Sequence, residues 1–141
     1  MSNEQQLDRL MANPYFETLT FFTVAILALI VFMTIFNFVT HYNDWDEIKK
    51  GNVSVAMATG GKIFGICNIF RFAILNNDTL LESIVWSSYG FVLLLAAYYI
   101  FELLTPYFKI EVEIKKDNRA VGLVSFLISV SISYVIGASV T

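Results

Sequence analysis

The chain is short of the residues that crosslink or punctuate soluble domains: one cysteine, two prolines and one histidine in 141 residues. A lone Cys67 excludes an intramolecular disulfide, and with His41 the only histidine no Cys/His set has metal-ligand spacing. Charge is scarce as well, at 15% of residues where soluble domains carry about 25%. The net charge of −3, with no long basic run, excludes nucleic acid as the expected partner. Enzyme chemistry finds little footing. No serine stands beside a plausible base, and the acids lie mostly between apolar runs. Gly60-Gly61-Lys62 lacks the upstream glycine and following Ser/Thr of a phosphate loop. A non-enzyme without cofactor or metal is the expectation.

What is present is apolar. Hydrophobic residues make up 57% of the chain and mean hydropathy is +0.65. Four runs carry it: Thr18 to Thr40, Val53 to Leu75 (interrupted by Lys62 and Arg71), Ile84 to Phe101, and Ala120 to Thr141. Each approaches the roughly 20 residues a membrane helix needs. Met1 to Glu17 is polar and slightly acidic, and the run after it is longer than a secretory signal's core, so no signal peptide is expected. Asn13-Pro14 is a helix-start signal, Thr105-Pro106 a stop, and Asn76-Asn77-Asp78 a turn. Met1 to Ala12 reads as a short helical arm with Leu7, Leu10 and Met11 on one side.

Glu47-Ile48-Lys49-Lys50-Gly51-Asn52-Val53-Ser54-Val55-Ala56 returns as Glu113-Ile114-Lys115-Lys116-Asp117-Asn118-Arg119-Ala120-Val121-Gly122, at an offset of 66 residues. Each copy follows one apolar run and opens another. The expected fold is all-α: a polytopic membrane protein of four transmembrane helices in two parallel duplicated hairpins. The divisions are a polar arm (1–13), a first two-helix repeat (14–75) and a second (76–141). Two spans per repeat is an even number, so both copies share one orientation, unlike the inverted repeats of many transporters. The two motif-bearing linkers carry Lys49, Lys50, Lys109, Lys115, Lys116 and Arg119, against Arg9 and Arg71 on the other side. Basic-residue counting therefore predicts cytoplasmic linkers, with both termini outside.

The doubled pattern of an acidic residue, Ile, three residues, Asn, one residue, Ala or Ser, Val, and Ala or Gly resembles the bacterial family of small membrane proteins called Domain of Unknown Function 350, the YjfL-like proteins. Asn52 and Asn118, with Val55-Ala56 and Val121-Gly122, carry the likeness, which runs from about Asn13 to the C-terminus. The resemblance implies four duplicated spans, a bacterial inner membrane and an envelope-stress gene context. The family has no established activity, so it implies no mechanism.

Lys62 is the candidate intramembrane functional residue. It lies nine residues past Val53, roughly 13 Å from the linker end at about 1.5 Å per residue. It reads either as an anion or proton site paired with Glu102, or as a lysine snorkelling to the headgroups. Ser125, Ser129, Ser133 and Gly137 step along one face of the last run, and Gly61 and Gly65 have the same spacing in the second. Such small-residue ridges pack membrane helices; the alternative is a serine-lined pathway completed by neighbouring subunits. The bulkier first and third runs are expected to face lipid. Asn52 and Asn118 read as helix N-caps, or as polarised N-termini holding an anion. Residues 109–115 alternate polar and apolar, so an extended linker is expected, or a strand that docks to a partner.

Two functions follow from this. The first is an oligomeric scaffold recruiting a soluble cytoplasmic partner or anionic lipid through Lys49, Lys50, Lys115, Lys116 and Arg119. The second is a small oligomeric ion- or solute-conducting channel using Lys62 and the serine ladder. Both involve the lipid bilayer and a homo-oligomer.

Overall fold

The computed structural model describes residues 2–140. These form seven helices: α1 (Asn3–Met11), α2 (Pro14–Val39), α3 (Asp44–Lys49), α4 (Val53–Asn76), α5 (Leu80–Leu104), α6 (Ile110–Lys115) and α7 (Arg119–Ser139). Four of them, α2, α4, α5 and α7, are long and apolar enough to cross a membrane. Local chemistry sets their ends. Asn13 Oδ1 accepts from the Tyr15 amide at 3.1 Å, with Pro14 in the first turn of α2. Thr79 and Glu82 form a reciprocal capping box at the start of α5, and Asn52 and Asn118 cap α4 and α7. Each cap satisfies an amide that the helix itself leaves unpaired.

The linkers differ from expectation. The second linker is not an extended segment: Ile110–Lys115 form α6, with Lys109 as its N-cap, and α3 lies at the matching place in the first linker. Ile110 and Ile114, one helical turn apart, are both buried, while the intervening Val112 is exposed. The apolar spacing that counts is therefore four, not two. Both short helices end alike. Gly51 (φ 88°) and Asp117 (φ 61°) adopt the left-handed conformation. The Asn52 and Asn118 amides then reach back to the Glu47 and Glu113 carbonyls at 3.1 and 3.0 Å. This is the Schellman closure. Each asparagine thus ends one helix and caps the next.

α4 is the central element; more than half of its membrane window is buried, against 11–22% for the other three spans. It packs along α7, and the two run in the same direction. At one end Asn52 Nδ2 donates to the Lys115 carbonyl at 2.9 Å, and at the other Asn76 Nδ2 donates to the Val140 carbonyl at 3.2 Å. Small residues permit the approach. A Cβ on Gly61 would lie 2.9 Å from Phe126 Cα, and one on Gly122 2.8 Å from Ser54 Cα. Phe32, Phe36, Ile66, Ile69, Phe91, Leu94 and Ile136 fill the space among the spans, with Phe32 and Phe91 stacked at 4.3 Å. A smaller cluster of Tyr42, Val55, Ala58, Ile110 and Ile114 lies beneath the linkers.

Candidate functional site

Where the linker helices roof the bundle, a charged pair is buried. Asn43 caps α3 through the Trp45 and Asp46 amides. This places Asp44 in the first turn with its side chain inward, where the partial positive charge of a helix N-terminus favours a carboxylate. Asp44 is 0% exposed and Lys62 4%. Lys62 Nζ donates to Asp44 Oδ2 at 3.0 Å, and the ammonium lies 5.3 Å from the Phe36 ring centroid and 5.9 Å from that of Tyr42. Helical side chains lean toward their own N-terminus, and the N-terminus of α4 is the linker end. Lys62 therefore leans toward the linkers and meets a carboxylate before it reaches headgroups. Asp44 Oδ1 and the Thr59 hydroxyl, both buried, have no hydrogen-bond partner.

The expected partner of Lys62, Glu102, lies elsewhere. It stands in the last turn of α5 and lines an open cleft of about 500 Å³ with His41, Tyr42, Tyr98, Tyr99 and Glu111. Lys62 leans toward α3, and the nearer acid takes it. In the cleft, Glu111 accepts from the Tyr98 hydroxyl and meets His41 Nδ1 at 2.5 Å. Burial, then the carboxylates of Asp44, Glu111, Glu102 and Glu47, push the Tyr42 phenol far above its ordinary value, so it stays protonated.

Lys62 also lines a cavity of about 30 Å³, together with Ser125, Ser129, Tyr98, Ile110 and Ile128 among others. Tyr98 lines both spaces. The serine ladder thus faces α4 of its own chain. Ser133 accepts from Asn68 Nδ2 at 3.0 Å, a Cβ on Gly65 would lie 3.4 Å from the Ser129 carbonyl oxygen, and Gly137 closes on the Phe72 ring. Asn52 and Asn118 accept from the Val55 and Val121 amides at 3.0 and 3.4 Å. The basic residues Lys49, Lys50, Lys115, Lys116 and Arg119 are exposed. Three of them pair locally: Lys50 with Glu47, Lys116 with Glu113 and Arg119 with Asp117. Among the described residues, no three His, Cys, Asp or Glu side chains gather as a metal site.

Asp44 was not singled out from the sequence, where it is one of three acids in Asp44-Trp45-Asp46-Glu47. The similarity of the two linker sequences held a signal. At 66 residues on, Asp44 falls on Ile110 and Lys62 on Ile128, so the one linker acid aligned with a buried isoleucine is the one that is buried.

The helices and their polar interior define a multi-pass α-helical membrane protein of unestablished activity. The chain belongs to the family described as Domain of Unknown Function (DUF350), which it matches over residues 9–140. It is 53% identical over 128 residues to the UPF0719 transmembrane protein YshE of Bacillus subtilis (strain 168), a match covering 91% of this chain and 96% of that relative. No solved structure matches.

Proposed function

We propose that this protein is a small, non-enzymatic ion-conducting membrane protein. Its pathway runs inside each protomer along the α4–α7 seam, and Lys62 is its charged element. The placement of Lys62 carries the reading: the ammonium is buried against Asp44 and lines the same cavity as Ser125 and Ser129. A charge at the centre of a span costs about 2.5–3.5 kcal/mol on insertion scales and is normally retained for function. The internal repeat adds a second support. If the chain is a duplication, the second copy fills the matching positions with Ile110 and Ile128, which border the same cavity. Packing alone is met there without charge.

On this reading the linkers face the cytoplasm of a bacterial inner membrane, as the basic-residue bias favours, with both termini outside. The outward-facing Ala56 and Gly60, with open space beside Gly60, offer a homo-oligomer contact of the small-residue kind. The test is flux from proteoliposomes holding the full-length protein. Leakage of a small ion above protein-free vesicles, altered by Lys62→Ala, is expected. Reproducible absence of any flux overturns the reading.

The scaffold is the second reading, favoured by Lys49 and Lys115, which are exposed and have no ion-pair partner among the described residues. It ranks lower because the six basic residues of the linkers stand among six acids, Asp44, Asp46, Glu47, Glu111, Glu113 and Asp117. Charge reversal at Lys49, Lys50, Lys115 and Lys116 should abolish recruitment of a soluble partner or anionic lipid while leaving insertion intact. Undiminished recruitment rules this reading out.

A further inference from the structure

We infer that the linker-end cleft binds the zwitterionic headgroup of a membrane phospholipid, with its phosphate on Lys109 and Lys115 and its primary ammonium on Glu102 and Glu111. Binding there does not depend on conduction. At about 500 Å³ the cleft lies within the roughly 300–1,000 Å³ of small-ligand sites. The space beside Lys62, about 30 Å³, holds roughly one or two waters.

Charge favours a zwitterion. Lys109, Lys115, Glu102 and Glu111 line the cleft, so with His41 neutral its formal charge is zero. A singly charged ligand would meet repulsion from half of that set, and a ligand with both charges need not. The charges are also left open. Among the described residues Lys109, Lys115 and Glu102 form no ion pair, and one Glu102 oxygen is buried without a hydrogen-bond partner. Glu111 and Lys115 stand four residues apart on α6, in the order that favours a helical ion pair. They do not form it. Glu111 is turned to Tyr98 and His41, which leaves the Lys115 ammonium free for an oxyanion.

The walls favour a primary ammonium. Tyr42, Tyr98 and Tyr99 line the same cleft, and an aromatic face attracts a cation. Carboxylates accept hydrogen bonds, so an ammonium with three donors satisfies Glu102 and Glu111 where a quaternary one, having none, does not. The headgroup is therefore of the ethanolamine class rather than the choline class. Position favours a lipid over a soluble zwitterion. Val39, another lining residue, ends α2, and Glu102 stands in the last turn of α5. Their chain neighbours Phe38 and Leu103 are 85% and 81% exposed, as side chains that face hydrocarbon are. The cleft thus opens where headgroups meet acyl chains, and chains leaving it find apolar surface at that level.

The experiment titrates the delipidated full-length protein, in dodecyl maltoside, with phosphatidylethanolamine, phosphatidylcholine or phosphatidylglycerol of identical acyl chains. Native mass spectrometry reads the bound lipid. Phosphatidylethanolamine should be retained about tenfold better than either of the others, the worth of one hydrogen bond to a charged group. Glu102→Gln should erase its preference over phosphatidylcholine. Lys115→Ala, at an exposed position, should weaken phosphatidylethanolamine by a similar factor, and it keeps the test open should Glu102→Gln fail to fold. Both variants are compared after eluting as wild type on gel filtration. Water-soluble glycerophosphoethanolamine in excess should leave the lipid in place, and displacement overturns the lipid as occupant. A preference for phosphatidylglycerol overturns the inference and favours the anionic-lipid scaffold. Equal retention of all three lipids overturns it too, as does wild-type retention of phosphatidylethanolamine in either folded variant.

Discussion

The Ser54 backbone amide donates to Asp117 Oδ1 at 2.9 Å, so the carboxylate of the second linker caps the helix opened by the first. Ser54 answers with its hydroxyl, which donates to the Asn118 carbonyl at 2.7 Å. The relation has no mirror image. The residue matching Asp117 is Gly51, which has no side chain to reach α7. One residue of the pair therefore serves two purposes: it turns the chain with a positive φ, and it ties α4 to the turn before α7.

Asp117→Ala should lose both the turn and the tie. A left-handed non-glycine residue costs about 1–2 kcal/mol, and removing a helix cap costs about 1 kcal/mol more. Asp117→Asn keeps an acceptor and tolerates the conformation, so it should cost far less. Gly51→Ala meets no atom within 4 Å and should lose only the backbone term, about 1–2 kcal/mol. Unfolding in mixed micelles by SDS titration measures all three, and equal losses in Asp117→Ala and Asp117→Asn would contradict the capping role.

Glycines in α4 and α7 should divide by position. A Cβ at Gly122 collides with Ser54, whereas one at Gly60 meets open space. Gly122→Ala is expected to destabilise by about 1–3 kcal/mol through overpacking, and Gly60→Ala to be neutral or slightly stabilising, since alanine is the better helix former by about 1 kcal/mol. The same titration decides, and a costly Gly60→Ala would instead mark that face as a contact in the assembled protein.

The ion pair should show strong coupling. Lys62→Met or Asp44→Asn alone strands a buried group and is expected to cost about 3–5 kcal/mol, while replacing both partners by apolar residues is often neutral or better. D44I/K62I should therefore be more stable than either single variant. A double variant as weak as the sum of the singles would show that the two side chains act separately.

Tyr42 should govern the alkaline limit of stability. Burial and the nearby carboxylates raise its phenol above the ordinary value, which lies at about 10. A raised folded value contributes stability that is complete below the unfolded value and is lost as pH rises through the folded one. Stability should thus hold to about pH 10 and decline above it, and Tyr42→Phe should flatten that decline. Thermal unfolding followed from pH 8 to 11 tests this, and superposed curves would refute it.

Much of the fold was legible because membrane spans are long and locally satisfied. Asn13-Pro14 opened α2, Thr105-Pro106 followed the end of α5, and Asn52 and Asn118 stand at the N-caps of α4 and α7. The small-residue faces lie in the contact of α4 with α7, and the bulkier α2 leaves most of its surface outside. The linkers were harder. Six residues are too few for periodicity to separate four from two, and Ile110, Val112 and Ile114 satisfy both patterns until burial picks the outer two. The site failed for a related reason. Lys62 was visible as a charge in an apolar run, but its partner depends on which linker acid the roof turns inward, and Asp44, Asp46 and Glu47 look alike in isolation.

The parallel contact of α4 with α7 also has a consequence for how the chain is made. Asp44 and Lys62 both belong to the first half and can meet as soon as α4 leaves the ribosome. The glycine and polar surface of α4, including Gly61, Gly65 and Asn68, finds its counterpart only after α5 and both ends of the second linker have been synthesised. Until then, the least lipid-compatible face in the molecule has to be sheltered by the insertion machinery or by another copy in the same state. A nascent chain halted after α5 should be held there and become a substrate for membrane proteases, while a separately expressed α5–α7 fragment supplied in trans should release it.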